Sequence, residues 1–363
     1  MIETDFVPSP YKNSLKSGSV TYQSPSNIAL VKYWGKHGEQ LPQNASVSFT
    51  LSNCHTTTTL HFEEKSTEGF DFTVFLDRKR ETNFEPKIQQ FFERVDIYIP
   101  FLRKYKLRIE TSNSFPHSSG IASSASGMSA LSLCLMNMER QLLGHDAHSD
   151  EEFKQKASFL ARLGSGSACR SIEGPLVVWG AHDQIEGSTN FFGIKYPYQI
   201  HANFKNYQDT ILLVDKGEKQ ISSSVGHNLM HNHPFAQNRF VQANQNLTKL
   251  ISVFENGNLS QFIEIIESEA LQLHAMMMTS LPYFILIKPN TLEIINRIWM
   301  YRKETGSSVC FTLDAGANVH VLYPEKEKES VLQFIRTQLS DFCKNGEYIQ
   351  DHSGIGATKI KAS

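Results

Sequence analysis

The sequence predicts a chain of mixed strands and helices divided between two domains. Its 363 residues exceed one ordinary domain and carry enough apolar side chains for a real core. Residues 45–51 and 56–62 have the period of strands, whereas 240–254 and 259–277 have that of helices. From about Lys195 small-residue loops between strands give way to long helical patterns, which divides the chain near residue 190.

Bulk properties exclude several classes of function. Thirty-five basic and 37 acidic residues leave a net charge of −2, so no nucleic-acid surface or basic membrane face is indicated. Any anion site must be local. The polar N-terminus and the lack of a span-length apolar run predict a soluble, cytoplasmic protein. Five scattered cysteines without a CxxC pair fit reduced thiols in that compartment.

In chain order, a short strand over 19–23 leads into Asn27-Ile28-Ala29-Leu30-Val31-Lys32-Tyr33-Trp34-Gly35-Lys36. Its lysines suit either a solvated amphipathic face or a pair of cations entering a phosphate site. Strands follow over 45–51 and 56–62, with Ser52-Asn53-Cys54 as the turn between them, and again over 70–76. Residues 86–103 repeat apolar side chains at helical steps, and 107–111 form a strand that runs into a small-residue loop.

That loop, Gly120-Ile121-Ala122-Ser123-Ser124-Ala125-Ser126-Gly127, opens a helix marked by Met128, Leu131, Leu135, Met138 and Leu142. A helix N-terminus presents unpaired N–H groups and the positive end of its dipole, and residues without bulk let an anion approach. Ser123 or Ser124 acting as a simple cap is the other reading. No Walker A motif is present. A helix over 151–163 starts behind Ser149-Asp150 and ends in Gly164-Ser165-Gly166-Ser167-Ala168-Cys169-Arg170-Ser171. Two glycines, three serines and an arginine exceed what a C-cap needs, and a guanidinium fork suits oxyanions.

Beyond a strand over 176–179, another is expected over 211–215, followed by a loop holding His227, His231 and His233. Their spacing invites a metal reading, but no HExxH arrangement is present, and a helix start or a phosphate-facing rim fits better. Helices over 240–254, 259–277 and 291–305 precede a strand over 309–313 that delivers Asp314 into Asp314-Ala315-Gly316-Ala317-Asn318. A carboxylate so delivered is either a catalytic acid or an Asx-turn. A strand over 319–323, a charged helix over 325–342 and a terminal strand over 351–360 complete the chain.

The NIALVKYWGK, GIASSASG, GSGSACRS and DAGAN runs together resemble the GHMP kinase superfamily, and within it the mevalonate diphosphate decarboxylases. They span most of the chain in the family's order. The resemblance implies an α+β fold, with an N-terminal domain like the second domain of ribosomal protein S5 over 1–190 and a ferredoxin-like domain over 191–363. It implies ATP and Mg²⁺ as cofactors, phosphorylation of the 3-hydroxyl of mevalonate 5-diphosphate, and loss of phosphate and carbon dioxide to give isopentenyl diphosphate. A homodimer is also implied.

By the same resemblance Asp314 accepts or orients the hydroxyl proton, Lys32 balances charge beside it, and Arg170 holds the substrate carboxylate or a phosphate. Tyr33, Lys36, Ser165, Gly166 and Ser167 would line the diphosphate. Gly120, Ala122, Ser123, Ser124 and Ala125 would hold the ATP phosphates, with Ser124 also at the metal. One departure stands out: the family's Thr-Ser pair in the later loop is matched here by His233-Pro234. A mevalonate 5-phosphate decarboxylase, a 3-kinase that stops before elimination and a non-catalytic phosphate-binding relative therefore remain as alternatives.

Overall fold

A computed structural model describes residues 2–116, 121–144, 147–215 and 223–360. Two mixed layers of sheet and helix meet along a cleft. The first sheet is built on two long antiparallel strands, β1 (Ser17–Val31) and β2 (Ser46–Glu64), with β3 (Asp71–Leu76), β4 (Tyr105–Asn113) and β5 (Leu176–Trp179) around them. β2 pairs with β1, β4 and β5, and β3 runs parallel to β4. Helices α1 (Glu85–Val95), α2 (Ser123–Leu143) and α3 (Asp150–Gly164) supply the other layer of its core.

The second sheet contains β6 (Gln208–Leu212), β7 (Cys310–Thr312), β8 (Val319–Tyr323) and β9 (Tyr348–His352), all antiparallel. Their spatial order, β7-β8-β6-β9, is that of a ferredoxin-like unit. Helices α4 (Ser223–Asn228), α5 (Ala236–Asn256), α6 (Leu259–Met278) and α7 (Pro289–Thr305) lie between β6 and β7, and α8 (Lys328–Phe334) follows β8. A last strand, β10 (Thr358–Ile360), returns to the first sheet and pairs with β1 from Thr21 to Gln23.

Local chemistry explains where the sequence expectations hold and where they do not. Ser149 and Glu152 form the capping box that starts α3, as the Ser149-Asp150 pair suggests. The helix expected over 86–103 stops at Val95 instead. Pro100, which cannot supply an interior N–H, opens a separate 3₁₀ turn over Pro100–Lys104. Ser52-Asn53-Cys54 is no hairpin turn: β2 continues through it, with its pairing to β1 shifting register between Pro25 and Asn27. Asp351 of β9 accepts the N–H groups of Ser52, Asn53 and Cys54 at 2.7 to 2.9 Å, so a remote carboxylate satisfies this stretch of strand. The charged helix expected over 325–342 is broken into 3₁₀, α and π turns, and the terminal strand into β9 and β10.

Candidate active site

The end of β1 enters the cleft and stops at Val31, so Lys32 leaves the sheet inside the protein. Its side chain is 2 % exposed, which rules out the solvated-face reading. Lys32 Nζ donates to Asp314 Oδ1 at 2.9 Å, across 282 residues of sequence. An ammonium so enclosed is tolerable only beside a counter-charge. The Asp314 carboxylate, about a third exposed, keeps access to the cleft.

Both partners are held from behind. Glu269, fully buried on α6, accepts the Lys32 backbone N–H at 2.8 Å, Arg239 Nη2, and Asn246 Nδ2 at 2.7 Å. Asn44 Nδ2 donates to the Lys32 carbonyl at 3.1 Å. On the Asp314 side, the His274 Nε2 atom bonds the Asp314 carbonyl at 3.1 Å, and Gly316 N–H closes a tight turn on the same oxygen. Burial pushes the His274 imidazole down to about 4, which keeps it neutral.

A cavity of about 310 Å³ opens at this pair and extends to the small-residue loops. Lys32, Tyr33, Lys36, Ala122, Ser124, Ser165, Gly166, Ser167, Arg170 and Asp314 all line it. Ser123 lines instead an adjoining, more apolar cavity of about 170 Å³, and Ser124 lines both. Ala125 reaches neither; it packs in the core and its N–H bonds the Ala122 carbonyl. Gly120 lies outside the described residues.

The loops are shaped as anion cradles. At the start of α2 the capping reading fails: the N-cap is Ala122, in the left-handed region at φ 46°, with no side-chain cap bond. Such a conformation costs a non-glycine residue about 1–2 kcal/mol. It leaves first-turn N–H groups at the cavity without a serine closing them off. Gly166 permits the next close approach, since a Cβ there would stand 2.9 Å from the Tyr33 hydroxyl and the Trp179 ring. That hydroxyl is enclosed and has no protein partner among the described residues, as befits a donor awaiting a ligand oxygen.

Arg170 is 3 % exposed and is oriented by Ser46 Oγ, by Asn27 Oδ1 at 3.4 Å and by the Trp179 ring at 5.7 Å. Burial lowers its pKa from the usual guanidinium value, and the Asp314 charge works the other way. Burial also lowers the pKa of the Lys36 ammonium, whose Nζ meets Gln40 Oε1 at 3.0 Å.

Several lining residues were invisible to sequence reasoning. Lys87 and Gln90 sit on α1, whose apolar face holds Ile88, Phe91 and Phe92. A polar face on an amphipathic helix carries no sign of what it fronts, yet Lys87 lines both cavities. Glu269 did leave a signal: an acid in step with Ile266, Ala270 and Leu273 on a buried helical face demands a partner. The three histidines separate. His227 lines the cleft, His231 is exposed, and His233 is tied to the Met276 carbonyl at 3.1 Å and to Phe235 N–H. Among the described residues no cluster of three metal-ligating side chains exists. A larger surface groove of about 860 Å³ along α6 offers Glu267, but Arg302 and Trp299 already bind it.

A cleft with paired acid and base, two amide-lined loops and an S5-like domain joined to a ferredoxin-like one defines a phosphoryl-transfer enzyme of the GHMP kinase-like fold. Residues 24–191 match the diphosphomevalonate decarboxylase-like N-terminal domain, and 210–362 match the mevalonate 5-diphosphate decarboxylase C-terminal domain. The chain belongs to the diphosphomevalonate decarboxylase family. It is 27 % identical over 335 residues to the diphosphomevalonate decarboxylase of Aspergillus fumigatus, covering 88 % of this chain and 80 % of that one. The Staphylococcus aureus mevalonate diphosphate decarboxylase superposes with a TM-score of 0.80 at 26 % identity, over 95 % of this chain and 98 % of that one. A structure solved with MVAPP, AMPPCP and magnesium gives 0.80 at 27 %, over 95 % and 100 %. No helix among the described residues is long and apolar enough to cross a membrane. All five cysteines are free and buried.

Proposed function

We propose that this cleft phosphorylates the tertiary 3-hydroxyl of mevalonate 5-diphosphate from ATP and then expels phosphate and carbon dioxide, leaving isopentenyl diphosphate. The observation that carries the reading is the Asp314–Lys32 pair, one partner from each half of the chain, on the same cavity as Ser124 and Arg170. Asp314 takes or orients the hydroxyl proton as the oxygen attacks the γ-phosphorus. Lys32 offsets the charge that collects there. A tertiary hydroxide leaves poorly and a phosphate well. Once the C–O bond to phosphate breaks, the electrons of the C–carboxylate bond form the alkene and carbon dioxide departs.

Arg170 suits the substrate carboxylate, fixing it for that elimination. Tyr33, Lys36, Ser165, Gly166 and Ser167 suit the diphosphate tail. The backbone of Ala122 and Ser124 suits the ATP phosphates, with Lys87 facing them, and Ser123 borders the apolar slot that would accept a flat base. Hard oxygen donors at this junction, the Ser124 hydroxyl and the Asp314 carboxylate, fit magnesium, which when bound neutralises part of the phosphate charge.

The two matched regions support a division into 1–190 and 191–363. Five free thiols support a reducing, cytoplasmic setting. A homodimer is the state we expect, checked by light scattering.

The test is incubation with ATP, Mg²⁺ and mevalonate, its 5-phosphate or its 5-diphosphate, with ADP and carbon dioxide scored separately. Both products in equal amounts from the diphosphate are expected. ADP alone would mean a kinase, a preference for the monophosphate would mean the alternative decarboxylase, and neither product would mean a binding protein.

A further inference from the structure

His227 is a buried titratable group of the cleft that the reaction above does not use. It stands on α4, in the second half of the chain, and its ring packs against Tyr33 and Trp34 of the first half, with centroids 4.2 and 4.7 Å away. Gly226 allows this approach, since a Cβ there would stand 2.5 Å from the Trp34 ring. The Gly35 N–H donates to His227 Nδ1 at 3.0 Å. A ring nitrogen that accepts carries no proton, so the neutral imidazole holds its proton on Nε2. Burial, reinforced by Lys36 and Arg170, pushes its pKa down to about 3. The result is a fixed, uncharged donor.

Its direction follows from what is already occupied. The Tyr33 and Trp34 rings pack against it and Gly35 takes the Nδ1 edge, which leaves Nε2 as the ring nitrogen available to a ligand in the cavity that His227 lines. The Gly35 bond fixes its place along that cavity: His227 is tied to the residue that precedes Lys36 in the chain, and both His227 and Lys36 line the cavity. His233 cannot share the task, because the Met276 carbonyl and the Phe235 N–H engage its two nitrogens.

We propose that His227 is a specificity-determining residue whose Nε2–H donates to the terminal phosphate of the substrate's 5-diphosphate tail. This rests on the substrate orientation given under Proposed function, with the tail at Lys36 and the carboxylate at Arg170. A 5-monophosphate ends short of the imidazole and gains nothing from it. The contact thus favours the diphosphate without adding a cation to a cleft that already holds Lys32, Lys36 and Arg170.

Two substitutions separate a substrate contact from a structural role. His227→Asn keeps an acceptor near Gly35 N–H but is too short to reach the tail. His227→Gln carries its amide N–H to the position of Nε2 and loses the Gly35 bond. The expected result is a KM for mevalonate 5-diphosphate raised about tenfold or more in His227→Asn, as for a lost hydrogen bond to a charged group. Its kcat should change by less than about threefold and its KM for mevalonate 5-phosphate should stay put. His227→Gln should lie within about threefold of the native KM. Any other order of the two variants overturns the proposal, and Gln worse than Asn would assign His227 to holding Gly35. Calorimetric titration of mevalonate 5-diphosphate without ATP ranks the same three proteins. That ranking tests His227 even if the native protein releases no carbon dioxide, an outcome that would refute the reaction instead.

Discussion

Replacing Asp314 separates chemistry from stability, because the residue serves both. Asp314→Asn keeps an oxygen 2.9 Å from Lys32 Nζ but cannot take a proton, while Asp314→Ala removes both. Losing a positioned base costs about 10²–10⁴-fold in rate, so kcat should fall by that factor in either variant. Stability should divide them. Breaking a fully buried ion pair costs about 3–5 kcal/mol. Lys32 is enclosed but Asp314 is about a third exposed, so solvent screening should reduce the cost to about 2 kcal/mol for Asp314→Ala and less for Asp314→Asn. Single-turnover release of ADP and carbon dioxide measures the first quantity, and urea unfolding at pH 7.5 the second. An Asp314→Asn protein with near-native kcat would remove the carboxylate from its assigned role. An Asp314→Ala protein as stable as the native one would mean that Lys32 finds other charge compensation.

Acid should weaken the fold before its ordinary carboxylates titrate. His227 and His274 have pKa values of about 3 and about 4 in the folded chain, below the ordinary 6.5, so between those values the unfolded chain binds more protons. Their stabilising effect is complete above pH 6.5 and is lost as the pH falls, by about 2 kcal/mol each at pH 5. Urea titrations at pH 7.5 and 5 of native, His227→Asn and His274→Gln proteins check this, and equal losses in all three would refute it. Lys87→Met should raise the KM for ATP about tenfold while changing that for the mevalonate substrate less, since Lys87 fronts both the apolar slot and the helix junction. Steady-state kinetics with each substrate varied in turn measure that contrast.

Features that repeat along the chain were legible in its sequence, whereas those created by folding were not. Period and punctuation located α2, α3, α5, α6 and α7 and the strands β5 and β8 to within a few residues. Short motifs of unusual composition gave the cleft its principal residues, from Lys32 to Asp314. Asp351 escaped notice because its three N–H partners lie some 300 positions away, and nothing near it announces a carboxylate working across domains. Lys87 escaped for a related reason, since what a polar helix face fronts depends on which surface ends up opposite it. His227 was singled out only as one of three histidines that the fold then separates. Ala122 marks a third limit, since an unfavourable backbone conformation leaves no trace in residue type.

The pairing of β10 with β1 means that the first sheet is completed by residues that follow the whole of the second sheet in the chain. Until they arrive, the edge of β1 from Thr21 to Gln23 stays open, and the stretch of β2 served by Asp351 keeps three amides without their carboxylate. Each half can thus form its helices but cannot seal its sheet until these residues dock. Removing β10 should therefore expose an adhesive strand edge in the opposite half of the molecule, and the damage should appear as aggregation before it appears as lost chemistry.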